Sequence, residues 1–387
     1  MRPAIPETLP LEWMEWDELI PALSRANRAL ARFDGILAHL RNSDLLRTPL
    51  TTREAVLSSK IEGTVVTVGE VLRFEAGDAP QQESKRLDIE EIVNYRMALR
   101  TAEKELHDRP FSLNLVLKLH KVLLTSVRGY DKAPGNFRKF QNHIGRPGST
   151  IEQAEFVPPS PERLKEALSN WEKYYHADEK DALVQLAIIH AQFEFLHPFL
   201  DGNGRIGRIL IPLFLYNKQI LSSPTFYLSE YLEEHRDEYV ARLRELGRNH
   251  ESWKQWSLFF LEALTVQAER NIVKVKAVLD LYERLKAQLL EISNSKYAVP
   301  LLDAMFTQPI FQAGSLLEKK GMPQRQMLMR LLALLVEHKM LTLLVSGSGR
   351  RPAVYSLHEL VKLCDSKPSR LAKAPQSGIT VARVLRN

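Results

Sequence analysis

Two apolar stretches of helical length, Ala182 to Leu196 (ALVQLAIIHAQFEFL) and Ile206 to Leu221 (IGRILIPLFLYNKQIL), set the tightest limit on how this chain can fold. The first is apolar on nearly every face, the pattern of a helix enclosed by protein on all sides. The second is as apolar. Between them runs His197-Pro198-Phe199-Leu200-Asp201-Gly202-Asn203-Gly204-Arg205-Ile206-Gly207-Arg208, polar and rich in glycine. Two buried helices bring such a connection to a deep, water-poor place. Charged groups are costly to desolvate there, so a use for them is expected.

Each residue type in the connection has a chemical reading. Gly202 and Gly204 let the backbone turn sharply and approach a ligand closely. Asn203 tolerates left-handed angles and supplies an amide donor. A helix starting near Gly204 directs its free N–H groups back at the loop, which favours an anion. Arg205 and Arg208, three apart, lie on adjacent sides of the first turn, and both can fork onto phosphate oxygens. Asp201 beside such a nest is a natural magnesium ligand, because Mg²⁺ usually takes one or two carboxylates plus substrate phosphates. His197 is the group able to accept a proton near neutral pH. A nest, two arginines, a carboxylate and a base together describe transfer of a phosphate-bearing group. A plain helical corner needs one glycine or asparagine, not two arginines and an aspartate on its buried side.

The string resembles the H-x-F-x-[D/E]-G-N-G-R-x-x-R signature of Fic-domain proteins, with every defined position filled. The resemblance implies a mostly helical fold that moves AMP from ATP onto a hydroxyl of a target protein. By it, His197 would deprotonate the target hydroxyl and Asp201 would hold Mg²⁺. The amides from Gly202 to Gly204, with Asn203, would cradle the α-phosphate, while Arg205 and Arg208 would hold the outer phosphates. Phe199 resembles the apolar anchor that pins the loop to the core.

A second place bears on the first. Thr52 to Glu62 (TREAVLSSKIE) reads as a helix, with Thr51 or Thr52 as N-cap, residues 45–50 as a connector and Gly63 as the C′ glycine. Glu62 then stands at the negative end of the helix dipole, where a carboxylate is disfavoured by a few tenths of a kcal/mol to about 1 kcal/mol. A tertiary partner, most simply an arginine, would explain it. Ser58-Ser59-Lys60-Ile61-Glu62-Gly63 also resembles the family's inhibitory motif, [S/T]-x-x-x-E-[G/N]. That resemblance implies that Glu62 pairs with Arg208 and fills the space of the γ-phosphate, with Ser58 helping to hold the helix.

Composition narrows the class. At 387 residues the chain has room for two or three domains, and 44% hydrophobic with 26% charged residues is ordinary for a soluble globular protein. A single cysteine, Cys364, excludes an intrachain disulfide and agrees with a reducing cytoplasm; its apolar surroundings suggest buried filler. The sequence has no membrane-length apolar run and no signal-peptide shape at its start. A net charge of +6 permits an acidic partner without demanding nucleic acid.

In order, residues 1–100 read as an N-terminal helical region containing the inhibitory helix at about 52–63, behind an extended proline-bearing arm. Residues 101–270 read as the catalytic core. His120 on one of its helices reads as a satisfied histidine. Residues 137–158 resemble the family's flap, a β-hairpin that would align target backbone by strand addition. Two tyrosines of the stretch Tyr227 to Leu246, Tyr231 and Tyr239, resemble positions lining the nucleotide pocket, although core packing serves equally well. Residues 271–296 read as a helical linker. Residues 297–360 have the helix and strand order of a winged helix–turn–helix, with Arg325, Arg330, Arg350 and Arg351 placed for phosphates and Gln324 and Gln326 for base edges. Residues 361–387 read as a basic tail. The expectation is a mainly α, autoinhibited protein adenylyltransferase using ATP and magnesium, its partners a target protein and itself, with DNA and a homodimer as further possibilities. The alternatives are removal of AMP at the same site and a DNA-binding regulator that senses nucleotide.

Overall fold

The structure, a computed structural model, describes residues 2–38, 44–125, 127, 131–146, 148–348 and 351–366. It is mainly helical. After a short 3₁₀ turn, α1 (Ile20–Ala38) packs along α11 (His250–Ser293), a 44-residue helix that spans the molecule. Of the residues read as a helical linker, 271–293 are the second half of α11, and 294–296 follow its end. Between them in sequence come α2 (Asp44–Ile61), α3 (Val68–Glu75), α4 (Glu83–Asp108), α5 (Leu113–Leu123), α6 (Pro161–His176), α7 (Ala182–Leu196), α8 (Asn203–Asn217), α9 (Ser229–Glu234) and α10 (Arg236–Glu245).

The apolar pattern of residues 182–196 gives the buried α7, with Val184, Ile188, Ala191 and Phe195 all enclosed. Asp181 starts it as N-cap, its carboxylate accepting from the Leu183 N–H at 2.7 Å. Helix α8 lies against α7, and α4 and α5 close its other sides. No helix among the described residues is long and apolar enough to cross a membrane.

Helix α2 departs from its sequence reading. Residues 45–50 are helix, not connector, and Pro49 sits within it. Thr51 and Thr52 do not cap it; their hydroxyls donate backwards to the carbonyls of Arg47 and Thr48, the bond by which mid-helix threonines satisfy themselves. The stretch 227–246 also breaks, at His235. There the ring stacks on Tyr231 at 4.0 Å and its Nδ1 bonds the Tyr231 carbonyl, drawing residue 235 out of helical angles.

The C-terminal part comprises α12 (Ala298–Thr307), β1 (Ile310–Gln312), α13 (Ala313–Leu317), α14 (Arg325–Glu337), β2 (Thr342–Val345), β3 (Val354–Ser356) and α15 (His358–Asp365). The strands form one antiparallel sheet, β1-β3-β2, with Phe311 opposite Tyr355 and Leu343 opposite Tyr355. Residues 361–365, expected in the tail, belong to α15, because Leu360, Val361 and Cys364 are buried. Residues 367–387 lie outside the described residues, as does Arg350.

This part packs on the N-terminal helices. Arg53 of α2 donates to the Cys364 carbonyl at 2.7 Å and pairs with the buried Glu230 carboxylate, which Lys274 of α11 also approaches at 3.4 Å. The Val68 N–H reaches Asp365, and Gln312 donates to the Ala76 carbonyl at 2.7 Å. Arg351 reaches Asp78.

Candidate active site

Helix α7 stops because His197 takes left-handed angles, φ 45° and ψ 58°. The loop then turns at Gly202, φ 79°, and α8 begins at Asn203. Asn203 is therefore helical, and its side chain is engaged inside the loop. Its Oδ1 accepts from the Phe199 N–H at 2.8 Å and its Nδ2 donates to the Phe199 carbonyl at 2.9 Å. The expectation that this amide serves a ligand is corrected; it staples the loop. Asn203→Ala would leave the buried Phe199 N–H unpaired, with the carbonyl still held by Asn142, and should lower stability by about 1–3 kcal/mol, read by chemical denaturation.

The loop is held from outside as well. Phe199 is fully buried and stacked on His120, ring centroids 3.7 Å apart. The Gly135 N–H donates to His120 Nδ1, so Nε2 carries the proton and donates to the Asp201 carbonyl at 3.0 Å. Burial pushes His120 down to about 4, keeping it neutral. Arg138 donates to the carbonyls of Phe140, Pro159, Leu196 and His197, tying the flap to the loop. Asn142 adds a bond to the Phe199 carbonyl. Sequence reasoning passed over Arg138 and Asn142. The four carbonyls that Arg138 gathers are brought together only by the fold. Among the described residues the flap pairs through one antiparallel bridge, Ile144 with Phe156.

The charges meet in pairs. Arg205 lies 2.7 Å from Glu91 of α4 and 3.0 Å from Asp201. Arg208 is 2% exposed; its Nε donates to Ser58 Oγ at 2.8 Å and its Nη2 to Glu62 Oε1 at 2.6 Å. Glu62 directly follows the last residue of α2. Glu54, Ser58 and Glu62, four residues apart, form one inward stripe of that helix, with Glu54 accepting from Tyr95 and Ser229. Burial pushes the Glu62 carboxyl up, but Arg208 more than offsets it and holds it below its ordinary range. The two glycines have different tasks. Gly202 supplies a positive φ, whereas a Cβ at Gly204 would stand 2.4 Å from Glu62 Oε1.

Around these residues the cleft has two chambers of about 350 Å³ each, which share Glu62, His197 and Gly204. One is polar, walled by Asp88, Glu91, Asp201 and Arg205. The other is part apolar, walled by Ile144, Phe156, Phe195, Tyr239 and Leu243. His197 stands between them; burial pushes it down to about 4, so it is a neutral base at pH 7. Of the two tyrosines, Tyr239 lines the second chamber and Tyr231 stands outside both. Asp201, its side chain 40% exposed, opens on the polar chamber. One carboxylate beside room for phosphates and water fits magnesium, which completes its shell with both.

Glu194 was also missed. It precedes His197 by three residues, is 9% exposed, and burial pushes its carboxyl up to about 7 despite the opposing charge of Arg208. From its ordinary value of 4.5 up to about 7 the folded chain therefore keeps a proton that the unfolded chain has released. Stability should fall as pH rises through that window, by at most about 3 kcal/mol. Glu194→Gln should flatten this slope in denaturation at pH 5 and pH 8.

Two family profiles match the chain. The Fic/DOC family N-terminal profile matches residues 20–104, and the Fic/DOC family profile matches residues 110–215, a span that holds the loop and the flap. The chain belongs to the Fic/DOC family. Among relatives of this Fic/DOC chain, a probable protein adenylyltransferase from Aquifex aeolicus is 28% identical over 210 residues, 51% of this chain and 55% of that one. Protein adenylyltransferase fic-1 from Caenorhabditis elegans is 28% identical over 190 residues, 46% of this chain and 34% of that one. The chain thus spans about half the length, or less, of these curated relatives. In fold it is similar to a Fic family protein from Desulfovibrio desulfuricans, with a TM-score of 0.55 at 20% identity over 92% of this chain and 98% of that one. A Fic-domain signalling protein from Bacteroides thetaiotaomicron gives 0.52 at 20% identity, covering 64% and 95%.

Proposed function

We propose that this Fic protein transfers AMP from ATP to a protein hydroxyl and that Glu62 holds the transfer in check. The observation that carries the reading is the Glu62–Arg208–Ser58 contact, at 2.6 and 2.8 Å, inside a complete signature loop. An arginine that could fork onto a terminal phosphate is instead neutralised by a carboxylate from another helix.

The first-turn N–H groups of α8 favour the negative charge of the triphosphate. Arg205 holds a phosphate by exchanging part of its contact with Glu91 and Asp201, and Arg208 does so once Glu62 has left. Neutral His197 takes the proton of the target hydroxyl as its oxygen bonds to the α-phosphorus; the bond to the bridging oxygen breaks and pyrophosphate leaves. Magnesium, held by Asp201, would neutralise phosphate charge. The part-apolar chamber beside His197 takes the nucleoside, and the flap edge near Ile144 takes target backbone by strand addition. Intact-mass spectrometry of the Glu62→Gly protein after incubation with ATP and magnesium tests the reading: a gain of one AMP group supports it. Unmodified protein, together with no labelled protein in an added lysate, refutes it.

A second role is favoured by one surface. Helix α14 presents Arg325, Gln326 and Arg330 to solvent, beside the exposed Gln324 that precedes it, a set suited to a DNA groove. Arg351 is drawn toward Asp78, which leaves less charge for phosphates. A gel shift on the upstream DNA should show a salt-sensitive complex that Arg325→Ala weakens; no shift, or one insensitive to salt, counts against this role.

A further inference from the structure

We propose that Glu194 is the residue that reads the nucleoside: its carboxyl accepts a hydrogen bond from an N–H or O–H donor on the base or the ribose. The proposal rests on the reading of the cleft as an ATP site and adds to it a determinant of which nucleotide is taken.

The argument starts from an unmet need. Glu194 Oε1 is buried and has no hydrogen-bond partner among the described residues, and a buried acceptor left unpaired is costly. The side chain lines the part-apolar chamber, three residues before His197 on α7, so carboxyl and imidazole share one face of that helix. With the nucleoside seated in this part-apolar chamber, as proposed above, the carboxyl that lines it is an acceptor on its wall.

Apart from His197, whose Nδ1 is also buried without a partner among the described residues, the other polar side chains of that chamber are engaged. The Gly207 carbonyl can only accept, so His190 Nδ1 donates to it at 3.1 Å, and His190 Nε2 then accepts from the Tyr239 hydroxyl at 3.0 Å. Arg244 pairs with Glu155, and Arg236 donates to the Ile61 carbonyl at 2.9 Å. Arg208 is already matched by Glu62, so Glu194 is not needed to balance it at rest. The remaining wall, Ile144, Phe156, Phe195 and Leu243, suits a flat ring and offers it no side-chain polar contact.

The neighbouring helix makes room for the carboxyl. A Cβ at Gly207 would come within 2.1 Å of Glu194 Oε1 and 3.1 Å of its Cδ. The glycine of the R-x-G-R segment thus allows the acid to lie flat against α8 at the bottom of the chamber.

The test uses the full chain carrying Glu62→Gly, with and without Glu194→Met, which keeps volume and removes the acceptor. Equilibrium binding and transfer rates are measured with ATP, purine riboside triphosphate (no 6-amino group), 2′-deoxyATP and 3′-deoxyATP. Glu194→Met should weaken ATP by about 10- to 100-fold, the cost of one hydrogen bond to a buried acid. The analogue that lacks the relevant donor should bind both proteins alike: purine riboside triphosphate for a base contact, a deoxynucleotide for a ribose contact. Glu194→Gln, which keeps an acceptor, should restore most of the ATP affinity. If Glu62→Gly protein binds ATP and all three analogues equally well, the proposal is overturned with Glu194 untouched. Parallel weakening of every nucleotide by Glu194→Met would also overturn it, since that marks a structural role. Glu62→Gly protein that binds no nucleotide at all would remove the ATP reading itself, and the proposal with it.

Discussion

Glu62→Gly protein should transfer AMP from magnesium-ATP about 10- to 100-fold faster than wild type. In the wild type, Arg208 must give up a hydrogen-bonded carboxylate before it can take a phosphate. A hydrogen bond to a charged group is worth about 1.5–3 kcal/mol, and each 1.4 kcal/mol is a factor of ten. The Glu62 side chain is 42% exposed, so solvent screening draws the expectation toward the lower figure. The gain should appear mainly as tighter productive ATP binding, because the substitution leaves His197 and the loop amides in place. Labelled-AMP incorporation under matched protein and ATP concentrations measures it. Equal rates for the two proteins would show that the Glu62–Arg208 contact does not restrain the reaction.

His197→Ala, introduced into the Glu62→Gly protein, should reduce transfer by about a hundredfold to ten-thousandfold, the usual contribution of a positioned general base. ATP binding should change little. The loop conformation depends on Asn203, Arg138 and the stacked Phe199, and the phosphates are addressed by α8 and the arginines. Loss of rate with retained affinity separates a catalytic histidine from one that only shapes the loop; loss of both together would contradict the assigned role.

Much of the site was readable because its chemistry is local in sequence. The loop from His197 to Arg208 carries its base, carboxylate and arginines in twelve consecutive residues, and the apolar run before it gave α7 to the residue. Glu62 was readable for a different reason: a carboxylate just beyond a helix C-terminus contradicts local electrostatics and asks for a distant partner. Misplaced roles came where one residue type serves two purposes. Asn203 suits both a ligand and a loop staple, and threonine suits both an N-cap and a mid-helix bond to the preceding turn, so the choices at Asn203, Thr51 and Thr52 were settled by packing. Arg138, Glu91 and Glu194 could not be read at all. Their partners lie on other segments, and neither a buried arginine nor a buried glutamate announces its burial in composition.

The seating of Arg53 on the Cys364 carbonyl and on Glu230 gives α2 two masters. Its end carries the carboxylate that occupies Arg208, while its flank is covered by α12 and α15. One helix thus touches both the site and the C-terminal part, and any coupling between them through α2 would be reciprocal. A partner that lifted the C-terminal part from α2 and so loosened Glu62 would tighten ATP binding by some factor, and ATP would tighten that partner's binding by the same factor. A single rod gripped at both ends cannot be loosened at one without the other registering it.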